Sequence, residues 1–157
     1  MLPDYDRDIQ NNITAHYRVE DAYAGVLITK ITWKEWNANR ARGTGVLAWN
    51  QYVTWAEMRQ AGIDADRLGY HSLWTWDHLY PIIGDPMGPF LEGYSVLAAW
   101  SQLTTRTRIG LLVGANTFRN PALVAKVVTT LDHLSDGRAN LGLGAAWFET
   151  EHTAFGI

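Results

Sequence analysis

The sequence contains no cysteine. That absence rules out disulfides, thiolate metal sites and cysteine nucleophiles. Basic residues are not in excess either: 13 Lys and Arg stand against 16 Asp and Glu, for a formal net charge of −3. Nucleic-acid binders carry a basic patch or face, so nucleic acid is not an expected partner. No apolar run approaches the roughly 18 residues of a membrane span, and no membrane partner is expected. The N-terminus, Met1-Leu-Pro-Asp-Tyr-Asp-Arg-Asp8, is acidic and lacks the basic region of a secretory signal, so a cytoplasmic location is the expectation. Asn12-Ile-Thr14 fits the glycosylation pattern only by chance in that setting. What the chain does have is aromatics, 8 Trp and 7 Tyr among 157 residues. Its 47% apolar and 18% charged content is ordinary for a soluble globular protein, and the length supports one domain with a core.

The chain reads as two unequal parts. Residues 1–43 are polar and irregular. Their best segment, Ala24 to Ile31, fits a short strand or a helix. Trp33 and Trp36 follow at helical spacing, and Asn37 to Gly43 has the composition of a linker. No motif with chemistry occurs there, and a loosely ordered extension is expected, with an accessory subdomain as the alternative.

From residue 44 the pattern becomes regular. Gly45–Asn50 is a short apolar run that fits a buried strand. Thr54 with Glu57 three residues on forms a capping box. Trp55, Met58, Ala61, Ala65 and Leu68 then keep helical spacing, and Gly69 ends the helix. A second strand is expected over His71–Trp76. Pro81–Pro89, with three Pro and two Gly, is a loop. A helix over Phe90–Leu103 and a strand over Arg108–Val113 follow. Pro121 suits a first helical turn. Leu123, Val124, Val127, Val128, Leu131 and Leu134 are expected on one face of that helix. Asp136-Gly137 is a turn, Ala139–Gly144 a fourth strand, and a further helix starts near Phe148. This βαβαβαβ order implies a parallel sheet covered by helices. A doubly wound sheet and a barrel fit it equally. Gly142-Leu-Gly144 lacks the spacing of a dinucleotide loop.

Several motifs carry more information than the periodicity. Ala65-Asp-Arg-Leu-Gly-Tyr-His-Ser-Leu-Trp-Thr-Trp-Asp-His-Leu-Tyr-Pro81, Gly114-Ala-Asn-Thr-Phe-Arg-Asn-Pro-Ala122, Leu131-Asp-His-Leu-Ser-Asp-Gly-Arg138 and Leu141-Gly-Leu-Gly-Ala-Ala-Trp147 stand in order. Together with Glu149, Glu151 and Ala154-Phe-Gly156 they resemble the luciferase-like monooxygenase family, from about residue 44 to the end. The resemblance implies a (β/α)8 TIM-barrel fold, here an incomplete barrel of about four parallel βα units. It divides the chain into an unmatched extension, 1–43, and the N-terminal half of a barrel domain, 44–157. It also implies an oxidoreductase that acts on a small organic substrate with coenzyme F420 or, alternatively, FMN. Asp77-His78 and Ala145-Ala-Trp147 look closer to the F420-dependent branch.

Active sites of such barrels lie at the C-terminal ends of the strands. The expected catalytic residues are therefore His78, with Asp77 orienting it or touching the cofactor, and Glu149. Val113, Gly114, Ala115 and Asn116, with Gly144, Ala145, Ala146 and Trp147, are the expected cofactor-binding residues. Small residues let backbone approach a flat ring closely, and a cis peptide is implied at Val113-Gly114. Trp74 and Trp76 fit either the pocket wall or the core, the commoner place for alternating strand aromatics. Arg119 fits either an anionic ligand or solvent, and His71, His133 and His152 are expected to be structural or exposed. No metal site is expected. A barrel takes about 250 residues and usually binds phosphate after strands seven and eight, so four more strands are expected after Ile157. The rival reading is a non-catalytic half-barrel that binds a partner or pairs with a second copy, and a homo-oligomer is expected if the chain folds.

Overall fold

The computed structural model describes residues 18–23, 26–32 and 43–157. The glycosylation-like Asn12-Ile-Thr14, the Trp33/Trp36 helical face and the linker over 37–42 lie outside the described residues. Strands β1 (Arg18–Tyr23) and β2 (Val26–Thr32) pair antiparallel, with a register shift between Val19 and Asp21. β2 then pairs antiparallel with β3 (Thr44–Ala48), Ile28 opposite Ala48 and Thr32 opposite Thr44. Of the segment expected over 24–31, residues 26–31 thus lie in a strand of the main sheet, and 24–25 fall outside the described residues.

β3, β4 (Ser72–Thr75), β5 (Arg108–Leu111) and β7 (Ala139–Asn140) continue that sheet in parallel. Three helices connect them: α1 (Trp55–Arg67), α2 (Gly93–Leu103) and α3 (Pro121–Leu134). These are the expected parallel βα units. Two strands are shorter than their apolar runs. The third ends at Leu111, and a separate β6 (Gly114–Ala115) follows. The fourth divides into β7 and β8 (Leu143–Gly144). β6 and β8 pair only with each other, Gly114 beside Leu143 and Ala115 beside Gly144. Backbone crowding requires the intervening glycine, because a Cβ on Gly142 would lie 2.5 Å from the Leu111 carbonyl oxygen.

Local rules account for most helix ends. Thr54 N–H donates to Glu57 Oε2 at 2.7 Å and Glu57 N–H to Thr54 Oγ1 at 3.3 Å, completing the capping box. Leu68 caps the other end of α1 and Gly69 follows at φ 79°, the left-handed position that favours glycine. Asn120 caps α3 and Pro121 fills its first turn. α2 begins at Gly93 rather than Phe90. Its cap is Glu92, whose carboxylate accepts from Tyr94 N–H and Ser95 N–H. Glutamate is not a favoured cap residue, so the sequence did not mark this start.

The core lies between sheet and helices, where Val46, Ala48, Leu73, Ile109 and Leu111 meet Met58, Leu97, Trp100, Val124 and Leu131. Leu123 and Leu134 are exposed instead of sharing the buried face of α3. At 100° per residue, Leu123 is turned well away from the buried Val124. Among the described residues Trp100 is the largest fully buried side chain, and its Nε1–H donates to the Met58 carbonyl at 2.8 Å. Gly62 leaves room for it: a Cβ there would sit 2.5 Å from Trp100 Cδ1. Gly62→Ala is therefore expected to destabilise by about 1–3 kcal/mol through overpacking, although alanine is the better helix former by ~1 kcal/mol. Chemical denaturation measures the sign, and a stabilised variant would refute this packing.

Away from the strand C-terminal ends, buried Asp66 closes the turn before β5. Its carboxylate accepts from the N–H groups of Thr105, Arg106 and Thr107 and from Thr105 Oγ1–H. Burial pushes its pKa up, but those bonds, led by Thr107, outweigh burial and hold it far below the ordinary carboxylate range. A depressed carboxyl stabilises the fold above its unfolded value of about 3.9, and that stabilisation is lost as pH falls through the folded value. The protein is thus expected to lose stability below about pH 4. Asp66→Asn should cost about 3 kcal/mol at neutral pH by leaving donors unmet, and should flatten that acid slope. An unchanged slope in the variant would contradict the assignment.

Candidate active site

Four strand ends converge on one rim. After β3 come Trp49 and Asn50, after β4 Trp76, Asp77 and His78, after β5 Leu112 and Val113, and after β8 Ala145, Ala146 and Trp147. The ends of β4, β5 and β8 enclose a cleft of about 250 Å³. Its floor is Leu112–Ala115 and Gly144–Ala146, and its walls include Trp76, His78, Phe118, Trp147 and Glu151.

Asn50, fully buried, organises the approach. Its Nδ2 donates to the carbonyls of Trp76 (3.1 Å) and Leu91 (2.5 Å), and its Oδ1 accepts from Trp76 N–H at 3.4 Å. Gln51 Oε1 accepts from Ile82 N–H at 3.0 Å. These two amides pin the long loop after β4 to the end of β3. Trp49 and Trp76 meet with ring centroids 4.5 Å apart. Trp74 lies over Gly110, where a Cβ would meet Trp74 Cζ3 at 2.7 Å. The two tryptophans therefore divide between the two readings: Trp74 packs on the sheet and Trp76 lines the cleft.

Asp77 is 4% exposed. One oxygen accepts from Ala115 N–H at 2.8 Å and from Arg119 Nη1 at 2.7 Å, and the other from Arg119 Nη2 at 2.9 Å. Arg119 also donates to Glu92 at 2.9 Å and lies 4.8 Å over the Tyr94 ring. Arg119, partly exposed, thus joins the loop after β4, β6 and the cap of α2. Burial raises the Asp77 pKa against the bonds from Arg119 and Ala115. Burial also opposes the Arg119 charge, but Asp77 outweighs it and raises the Arg119 pKa. These shifts pull in opposite senses, and the two-pronged geometry favours the ion pair. Burial likewise acts to raise the Glu92 pKa, yet the bonds from Ser95 and Tyr94 and the Arg119 charge bring it below the ordinary range.

His78 is held by a different carboxylate. Its Nδ1 lies 2.9 Å from Glu151 Oε2. Glu151 Oε1 accepts from the N–H groups of Leu79 and Tyr80. Glu151 comes from α4 (Glu149–Phe155) and is 1% exposed. The imidazole meets Trp76, Trp147 and Phe148 edge to face, at centroid distances of 6.2, 5.9 and 6.0 Å. Glu149, by contrast, is exposed at the start of α4 and does not line this cleft. Asn116 also stands outside the lining, its N–H donating to the Gly144 carbonyl at 3.0 Å. Val113, Gly114, Ala115, Gly144, Ala145, Ala146 and Trp147 all line it. The cis peptide joins Leu112 to Val113, one residue before the implied position. His71 and His133 are exposed, and His152 bonds Thr117 and the Phe148 carbonyl.

Two features of the floor match a flat ring. Gly144 keeps it low, since a Cβ there would lie 2.4 Å from Val113 Cγ2. Ala146 holds φ 61°, a left-handed conformation that costs a non-glycine residue about 1–2 kcal/mol and gathers at functional sites. Ala146→Gly should therefore stabilise by about 1 kcal/mol, read as a raised denaturation midpoint; a lowered midpoint would refute the strained backbone. No Lys or Arg lines the cleft among the described residues. The residues present fit a ring but supply no phosphate anchor. Among the described residues, no group of three or more His, Asp or Glu could hold a metal, and no helix is long and apolar enough to cross a membrane.

The cleft lies at the C-terminal ends of parallel βα units, the end at which TIM-barrel proteins carry their sites. The sequence model of the luciferase-like monooxygenases matches residues 33–157, and the chain belongs to that family. The match starts upstream of residue 44. The chain is 32% identical over 90 residues to the F420-dependent glucose-6-phosphate dehydrogenase of Amycolatopsis mediterranei, covering 57% of this chain and 27% of that protein. It is 33% identical over 92 residues to 4-hydroxyprotoasukamycin monooxygenase of Streptomyces nodosus subsp. asukaensis, covering 59% and 24%. An F420-dependent secondary alcohol dehydrogenase, solved with an F420-acetone adduct, superposes with a TM-score of 0.65 at 25% identity, covering 72% of this chain and 34% of that one. The matched segments thus span about a quarter to a third of these relatives.

Proposed function

We propose that this chain forms the ring-binding side of the active site of an oxidoreductase. The reading takes coenzyme F420 as cofactor, with FMN as the alternative, and a small organic substrate. The observation that supports it most is His78, tethered at Nδ1 by buried Glu151 beside a floor of Gly114, Ala115, Gly144 and Ala145. The cofactor, when bound, supplies hydride transfer or, with FMN, oxygen activation. The floor admits the ring face by close backbone approach. Trp76 and Trp147 exclude water from its edges. His78 moves a proton through Nε2, which has no partner among the described residues. Asp77 keeps the floor in register through Ala115 N–H and Arg119.

The test is a titration of the purified protein with coenzyme F420 and, separately, FMN, followed by cofactor fluorescence. Saturable quenching by one of them supports the reading. A folded sample that takes up neither overturns it for this chain. One observation favours a second reading, association through the β7–β8 edge into a non-catalytic homo-oligomer: Leu141 and Leu143 there are 53% and 54% exposed. It predicts a monodisperse oligomer without cofactor uptake, which sedimentation and the same titration distinguish.

A further inference from the structure

We infer that Glu151 is a positioning residue that locks His78 in a single tautomer, with the proton on Nδ1 and Nε2 free to accept. This rests on the proposed role of His78, but the lock itself follows from hydrogen-bond bookkeeping.

Three donors meet the Glu151 carboxylate. Leu79 N–H and Tyr80 N–H both point at Oε1, and the His78 ring nitrogen Nδ1 points at Oε2. A carboxylate has acceptor sites only. A neutral imidazole facing it must place its hydrogen on Nδ1, or two lone pairs would oppose each other at 2.9 Å. The other nitrogen is then an acceptor by default. The choice matters because a free ring can carry its proton on either nitrogen, and only one form accepts a proton at Nε2. The carboxylate is 1% exposed and the imidazole side chain 17%, so water competes little for either.

Among the described residues no other charged group serves Nδ1. Asp77, the adjacent carboxylate, is occupied by Arg119 and Ala115 N–H. Among the described residues, the aromatic rings that the imidazole meets are those of Trp76, Trp147 and Phe148. The lock also spans the fold. Its two halves are 73 residues apart, so the tautomer is set only once α4 has docked on the loop after β4.

Glu151→Gln separates this role from mere packing. The two backbone N–H groups still need an acceptor, so the amide oxygen must take the Oε1 position. That choice turns the amide NH2 toward His78 Nδ1, which must become an acceptor, and the ring proton moves to Nε2. The variant thus keeps shape and both backbone bonds while reversing the tautomer. The experiment is nitrogen-15 NMR of histidine-labelled protein at about pH 9, above the ordinary imidazole range, with His78 signals identified by their loss in His78→Gln. The expected result is a protonated Nδ1 and a bare Nε2 in the native protein, exchanged in Glu151→Gln. A native Nε2–H form, or the same tautomer in both proteins, overturns the inference. The native spectrum needs no variant, so it decides even if Glu151→Gln fails to fold. It is recorded without cofactor, so failure of the oxidoreductase reading is seen separately, in the titration. With turnover in hand, Glu151→Gln should lower it by about 10²–10⁴-fold while cofactor uptake stays unchanged. Full turnover with a reversed tautomer would also overturn the positioning role.

Discussion

Arg119→Ala is expected to destabilise the protein by about 3–5 kcal/mol. The side chain of Asp77 is only 1% exposed, and Arg119 meets it with two nitrogens at 2.7 and 2.9 Å. Removing the guanidinium leaves that carboxylate with Ala115 N–H alone, in a place where burial already raises its pKa. The loss also frees Glu92, which caps α2, and uncovers the Tyr94 ring. Arg119→Lys keeps the charge but not the fork, so it should recover only part of the loss. Arg119→Leu combined with Asp77→Asn should cost less than the two changes summed, because the pair acts as one unit. Urea denaturation of the set measures each term. A loss under about 1 kcal/mol for Arg119→Ala, the value of an ordinary surface pair, would sink the account of this network.

The second large effect distinguishes two glutamates that stand two residues apart. Glu151→Leu is expected to cost about 3 kcal/mol or more, because the N–H groups of Leu79 and Tyr80 lose their acceptor. The same change releases His78, so the loop after β4 should loosen and its amides should exchange faster. Glu149→Leu, at an exposed position outside the cleft, should stay within about 0.5 kcal/mol. Equal effects of the two changes on stability would show that α4 docks differently. The contrast also bears on mechanism. Glu149 is the glutamate that begins the helix, where acidic residues are favoured by the helix dipole alone. Glu151 is the one that the fold brings to the histidine.

The differences between what the sequence expressed and what the fold shows have physical causes. Periodicity and capping are local, so α1 with its Thr54–Glu57 box and α3 with Pro121 in its first turn were legible. Apolar runs over 108–113 and 139–144 were legible as strands, but their interruption was not. It arises where β6 leaves β5 to pair with β8, and a glycine at 142 is the only trace in the sequence. The cleft-lining small residues and His78 were reachable through the resemblance, since they sit within its motifs. Glu151 lay in those motifs too, but nothing local marks it as the partner of a residue 73 positions earlier. Arg119 was ambiguous for the same reason: its two carboxylates come from positions 77 and 92. Charge pairing between distant elements leaves no periodic signature, and only the folded chain exposes it.

The central claim is that the floor formed by Gly114, Ala115, Gly144 and Ala145 receives the ring of a redox cofactor beside His78. The most direct measurement is a crystal structure of the purified protein with whichever of coenzyme F420 or FMN it binds in solution. The account predicts the ring lying against those four residues, between Trp76 and Trp147, with His78 Nδ1 still on Glu151. A ring bound elsewhere on the chain, with this cleft left to solvent, would contradict it.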